Sequence, residues 1–283
     1  MIRRDITLAD DTQRWSLISQ VEHARLSGEL AASWGNDRFD PVVGSTESDS
    51  THDLMAVRKE VLAAITHHDD GWREWDAAPK MDPVERQPYS FTEMPLEDAL
   101  DIWRASILAC ATIGPLAAWM VAGHFIELRS GSDTQTAQSD HWIDEMTTRR
   151  KQWLAEWQGV NPVSHTMGLA ELALQWLRLF DLLSLWLCFR KCDPLQFPAD
   201  SDTSILVAEP IRFVPQENGT NDELQTIYVR PWPFRTTTID LAANSLLVPA
   251  YQYSDGIECT ETAQREAIRW QLKPQIGSND GIE

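Results

Sequence analysis

Basic side chains are scarce. The 283-residue chain carries 24 Lys and Arg against 43 Asp and Glu, a formal net charge of -19. Such a surface repels a nucleic-acid backbone unless cations are gathered locally. The densest basic group is Arg149, Arg150 and Lys151, flanked by Glu145 and Glu156. That patch is too small to track a phosphate backbone, so no nucleic-acid duplex is expected as a partner. A phosphate-bearing substrate would need a metal ion or a locally basic pocket. Cysteine is also sparse: Cys110, Cys188, Cys192 and Cys259. Their spacing and the chain length do not suit a disulfide framework or a sulfur-rich zinc site. They read as reduced thiols of a cytoplasmic protein. No long uninterrupted apolar run exists. The most apolar segment, residues 169–189, contains Glu171, Gln175, Arg178 and Asp181, so it reads as a buried helix and no membrane partner is expected. Residues 1–11 mix both charge signs and lack the apolar stretch of a secretion signal. A Gly-rich phosphate loop and a Gly-x-Ser-x-Gly elbow are both missing.

What the chain does have is a globular composition, with 43% hydrophobic and 24% charged residues, and 13 tryptophans. So many indoles imply large aromatic core pieces, pocket walls, or both. Apolar residues recur at helical spacing over residues 14–34, 51–68, 96–112, 115–129, 140–157 and 165–190, and predict six helices. Gly114-Pro115 separates the third from the fourth. The stretch from Asp69 to Pro95 carries Trp72, Trp75 and Tyr89 and reads as a packed loop. Beyond Asp193 short β-branched runs predict strands at 205–207, 211–214, 226–230, 236–241 and 246–248, with a helix or strand within 257–272. The expected fold class is mainly α: a helical bundle over residues 1–192, with a small β-rich C-terminal element over 193–283 packed on it.

The chemistry gathers on inward-facing polar residues. His68 ends the second helix, and Ile65, Ala64 and Val61 share its face. Asp69 follows at once. His124 shares a face with Ala117 and Val121, and His23 lies near Leu26 and Leu30. Asp181 stands in Leu179-Phe180-Asp181-Leu182-Leu183, where a buried carboxylate is costly unless paired or bound to metal. A same-helix ion pair with Arg178 is the alternative for Asp181. Imidazoles and carboxylates facing one core from separate helices suit one or two divalent ions such as Mn, Fe, Ni, Co or Zn. His67 and Asp70, beside the pair, are candidate catalytic groups or orienters together with Asp69. Trp72, Trp75 and Arg25 are candidate pocket residues. His52, His141 and His165 are expected at the surface. The Pro231-Trp232-Pro233-Phe234 string is rigid and aromatic, and is expected to dock the β element onto the helices.

The order His23, His68-Asp69, Asp181, with the string His68-Asp69-Asp70-Gly71, resembles the HD superfamily of metal-dependent helical enzymes. That resemblance implies an HD-like bundle whose first metal is held by His23, His68, Asp69 and Asp181, with His124 serving a second metal or a phosphate. Three features depart from the pattern. His23 and His68 are farther apart than usual, Trp72 stands where many members have lysine, and only one clearly inward histidine lies between Asp69 and Asp181. Gln20-Val21-Glu22-His23, Trp34-Gly35-Asn36, His67-His68-Asp69-Asp70-Gly71-Trp72 and Pro231-Trp232-Pro233-Phe234 also resemble an uncharacterised bacterial family, the domain of unknown function numbered 3891, over nearly the whole chain.

The HD resemblance implies hydrolysis of a small phosphoester or phosphoanhydride by metal-activated water. Scarce basic residues and the aromatic loop also admit an HD-type di-iron oxygenase. The third expectation is a binding or scaffolding protein in which the inward polar residues pair with one another.

Overall fold

The computed structural model describes residues 1–8, 10–44, 52–131, 136–190, 193–197, 209–216 and 224–275. The chain opens with two strands, β1 (Ile2–Thr7) and β2 (Gln13–Ile18), before the first helix α1 (Gln20–Ser33). Helices α2 (His52–His67), α3 (Arg73–Ala77), α4 (Leu96–Ala111), α5 (Pro115–Ser130), α6 (Ala137–Val160) and α7 (Met167–Cys188) follow. Five strands then close the chain: β3 (Leu195–Phe197), β4 (Ile211–Pro215), β5 (Leu224–Arg230), β6 (Ile239–Pro249) and β7 (Gln264–Pro274), with the short helix α8 (Gly256–Glu261) before the last.

The mainly-α expectation is overturned. About half of the described residues are helical, and the strands form one seven-stranded mixed sheet curved into a half-barrel, so the fold is α/β. Its order is β1-β2-β6-β7-β5-β4-β3, antiparallel except for the parallel β5–β7 pair. The β element is therefore neither small nor only C-terminal. β2 pairs with β6 from Arg14↔Pro249 to Ile18↔Ser245, so the sheet draws on both sides of the 192/193 boundary.

The reason for the misreading lies in β2. It is an inner strand buried on both faces, with Trp15, Ser16, Leu17 and Ile18 all covered. Alternation disappears in such a strand, and the Leu17–Val21 spacing then mimics a helix. The true start is Ser19, whose hydroxyl caps the Glu22 amide. The two runs read at 236–241 and 246–248 are one long strand, β6. The run at 205–207 lies outside the described residues.

The helices pack as α1 against α2 and α7, with α5 against α6, α4 and α7. Gly28 lets α1 close on α2: a Cβ there would sit 2.1 Å from Thr66 Oγ1. The aromatic string docks the sheet on this bundle. Gly35 donates to Pro233 O at 2.9 Å, and the Asn36 amide donates to Trp232 O at 2.9 Å. Trp34, 1% exposed, packs edge-on against Trp176, Phe180 and Phe234. One hydrophobic core thus runs from α1, α2 and α7 into β4–β7. No described helix is long and apolar enough to cross a membrane.

Candidate metal centre

Four elements converge below the sheet. α1 supplies His23, the end of α2 supplies His68 and Asp69, α5 supplies His124, and α7 supplies Asp181. His23, His68, Asp69 and His124 are no more than 5% exposed. The polypeptide can turn sharply after Asp69 because Gly71 abuts α4. A Cβ at Gly71 would lie 2.3 Å from Ile102 O, and its amide donates to Ser106 Oγ at 3.0 Å.

Distances define a tight cluster. His23 Nε2 lies 3.0 Å from Asp69 Oδ2 and 3.4 Å from Asp181 Oδ1. His68 Nε2 lies 3.2 Å from Asp181 Oδ1 and 3.5 Å from Asp69 Oδ2. His23, His68 and Asp181 each place one donor atom within 4.8 Å of the others. Asp69 reaches both imidazoles from beside that trio. His124 Nε2 is more distant, 3.7 Å from Asp181 Oδ2.

These donors fit a divalent cation. Ligands bound at ~2.1 Å stand roughly 3.0–3.4 Å apart at neighbouring positions of an octahedral or tetrahedral ion. The four contacts between imidazole nitrogens and carboxylate oxygens fall close to that interval. The far sides of both rings are also fixed. His68 Nδ1 bonds Ile65 O at 2.9 Å, which requires a proton there and leaves Nε2 to aim inward. His23 Nδ1 meets Ser184 Oγ at 2.7 Å, and Ser184 Oγ in turn donates to Asp181 O at 2.9 Å and lies 2.7 Å from Ser27 Oγ.

The electrostatics agree. Burial alone would depress the His68 pKa, but Asp69 and Asp181 outweigh it and push it up to about 9. Burial would raise the Asp181 carboxyl, yet His124, His68 and His23 hold it well below the ordinary carboxylate range. Asp69 is likewise lowered against burial by His68 and His23. Burial keeps His124 below its ordinary value, against the pull of Asp181. Two ionised carboxylates therefore face imidazoles in a water-poor site, where a protonated His68 or a bound cation can balance their charge.

A cavity of about 210 Å³ opens beside the cluster. Gln20, His23, Asp69, His124 and Asp181 form its polar side, and Trp72, Phe91, Trp103, Phe125, Leu128 and Leu185 its apolar wall. Leu128, 51% exposed, marks the mouth. No Lys or Arg lines it among the described residues.

The remaining candidates are placed elsewhere. His67 bonds Asp70 at 3.1 Å, and Asp70 also accepts from Arg73 at 2.7 Å, in a surface network outside the cavity. Trp75 packs edge-on against Trp72 behind the wall. Arg25 points away, to Glu22, Glu29 and the carbonyl of Ala242. Arg178, considered as a partner for Asp181, pairs with Glu127. His165 is buried, not superficial. It stacks on Trp157 at 4.2 Å and bonds Trp157 O and Asp53. His141 is exposed as expected. Sequence reasoning overlooked Gln20, Phe91, Trp103, Phe125 and Leu185. Gln20 shares a face with His23 three residues on, a signal that was available.

Neither the curated proteins nor the solved structures contain a match to this chain. A family model described as a protein of unknown function, DUF3891, matches residues 6–250. With that match over most of its length, the chain belongs to the DUF3891 family.

Proposed function

We propose that the protein is an HD-type metal-dependent hydrolase acting on a small molecule. The observation that carries this reading is the meeting of His23, His68 and Asp181 donor atoms within 4.8 Å, with Asp69 at their side. These residues would hold one divalent ion, Mn, Fe, Ni, Co or Zn. Such an ion lowers the pKa of a coordinated water and polarises the bond to be cleaved. Asp69 is placed to complete the ligand set or to take the proton of the attacking water. His124, neutral through burial, can hydrogen-bond a leaving group or the substrate. Trp72, Trp103 and Phe125 keep bulk water from the reacting centre.

A phosphoester or phosphoanhydride is the bond type that the HD resemblance suggests, but among the described residues the cavity offers it no cationic side chain. The di-iron oxygenase reading has less support. His124 is the one further imidazole lining the cavity among the described residues, which leaves a second ion short of ligands. In the scaffolding reading the same polar residues pair with each other and take up no ion.

Elemental mass spectrometry of untagged protein, with His68→Ala and Asp69→Ala controls, tests the proposal. About one Mn, Co, Ni or Zn per chain, lost in both controls, is the expected result. Folded protein that takes up no metal on reconstitution would end the hydrolase reading.

A further inference from the structure

We infer that the cavity beside the metal centre takes a small uncharged molecule with a flat apolar body and a hydrogen-bonding group directed at Gln20. The charge argument rests on the metal-hydrolase reading above. A carboxylate that binds a metal is deprotonated, so Asp69 and Asp181 as ligands would cancel the two charges of one divalent cation. With the imidazoles neutral in that state, the loaded site has no net positive charge. Among the described residues no Lys or Arg lines the cavity to supply one. The whole chain, at -19, adds a repulsive field. A phosphate dianion would therefore enter a desolvated space without compensating charge, which is strongly unfavourable.

The shape argues in the same direction. The cavity's 210 Å³ corresponds to about seven water molecules at ~30 Å³ each. Trp72, Phe91, Trp103 and Phe125 bound it, and Trp103 stacks on Phe125 at 5.3 Å and 14°. These are surfaces for a planar apolar group.

Gln20 supplies the polar contact. It is 3% exposed, lines the cavity, and its buried Oε1 has no hydrogen-bond partner among the described residues. Buried side-chain amides without partners are rare and call for one. The residue is held in place by its backbone amide, which donates to Asp76 Oδ2 at 2.8 Å. It sits one helical turn before His23, so a molecule bonded to Gln20 lies next to the metal ligands. The carboxamide can present either oxygen or nitrogen, which suits amides, ureas or hydroxyl groups.

Benzamide and phenyl phosphate are matched probes. Tryptophan fluorescence and saturation-transfer NMR would follow their titration into the full chain, with metal content measured on the same samples. Benzamide should bind at least tenfold more tightly than phenyl phosphate. Gln20→Leu, nearly the same size, should weaken benzamide about three- to tenfold, the scale of one neutral hydrogen bond, with metal content unchanged. Leu185→Phe, which fills the cavity from the opposite wall, should abolish benzamide binding and covers the case of a misfolded Gln20→Leu. Phenyl phosphate binding as tightly as benzamide would overturn the inference. So would benzamide affinity indifferent to Gln20→Leu, or no benzamide binding by metal-loaded wild type into the millimolar range, which would leave the hydrolase proposal standing. Gln20-dependent benzamide binding by a protein that takes up no metal would do the reverse, removing the hydrolase and keeping the ligand class.

Discussion

Ser184→Ala separates a metal site from a cluster of mutually paired residues. Ser184 is fully buried and its Oγ lies 2.7 Å from His23 Nδ1. A metal on His23 Nε2 needs that nitrogen's lone pair, which places the ring proton on Nδ1. The proton then has Ser184 as its acceptor. Alanine removes the acceptor and strands a buried N–H, at a cost of about 1–3 kcal/mol. Without metal the ring has an alternative. Its proton can move to Nε2 and bond Asp69, 3.0 Å away, which leaves Nδ1 as an unpaired acceptor but keeps every ring proton bonded. The loss therefore falls mainly on the loaded state. It corresponds to a ten- to hundredfold drop in metal affinity, the range found for orienting partners of ligand histidines. Chelator-competition titration gives the affinity, and denaturant unfolding of metal-free protein gives the control. Metal-free stability should change by less than ~1 kcal/mol, since one hydroxyl is lost and Ser27 keeps its bonds to His23 O and Phe180 O. Unchanged metal affinity would refute the tautomer argument. An equal loss of stability without metal would show that Ser184 only packs the core.

Other perturbations probe the same centre and its surroundings. Without metal, His68 has its pKa raised to about 9 from 6.5 in the unfolded chain, so its contribution to stability is complete below about pH 6.5 and lost as pH rises through 9. Asp181 and Asp69 are depressed, so theirs is present above about pH 4 and lost on acidification. Denaturant titrations of metal-free protein from pH 4 to 10 should peak near pH 5–6, while metal affinity rises with pH; a metal-free optimum above pH 8 would contradict the pairing. Asp181→Asn should abolish stoichiometric metal uptake and destabilise metal-free protein at pH 6 by about 3 kcal/mol, with a smaller effect at pH 10, as followed by calorimetry. Gly71→Ala should destabilise by several kcal/mol, because the new Cβ meets α4 backbone rather than a movable side chain; a melting temperature within a degree or two of wild type would show that the Gly71 turn can shift. His165→Ala should cost about 1–3 kcal/mol through the lost Trp157 stack and Asp53 bond, yet leave metal uptake intact.

The six long helices were legible from their apolar spacing and from local signals at their ends, such as Gly114-Pro115 before α5 or Thr166 before α7, whereas α3 lies in the stretch read as a loop. The sheet was not. β1 is short and charged, β2 is buried on both faces, and the second partner of β2, β6, lies more than 220 residues away in the chain. Strand pairing at that separation leaves no periodic trace. The Ser19-Gln20-Val21-Glu22 string, an N-terminal helix signature, would have separated β2 from α1. His165 was misplaced for a related reason. It sits in an irregular turn between α6 and α7, where no helical face marks the inward direction, and its burial comes from Trp157 and Asp53.

The same reasoning explains why the clustered polar residues were legible and the cavity was not. A polar residue on an apolar helical face stands out, so His23, His68, His124 and Asp181 were visible from their neighbours alone. A cavity wall is made of apolar residues that look like any other core residue. Phe91, Trp103, Phe125 and Leu185 could be separated from the packed interior only by a shortage of atoms opposite them. The charge of the pocket follows a different rule. It was readable in outline, since a chain so poor in Lys and Arg has few to place there, but sequence neighbours pointed to Arg25 as the exception. In the fold Arg25 belongs to the sheet side of α1, held by Glu22, Glu29 and Ala242, while Gln20 and His23 face the cluster. A six-residue stretch thus divides one helix between two tasks. The side with Gln20 and His23 serves the metal centre with groups that are neutral in the loaded state, and the side with Glu22 and Arg25 ties the helix to β6 through charge. The separation makes the two tasks independently testable: Arg25→Ala should weaken the α1–β6 junction without altering metal uptake or benzamide binding, whereas Gln20→Leu should weaken benzamide binding and leave both the junction and metal uptake unchanged.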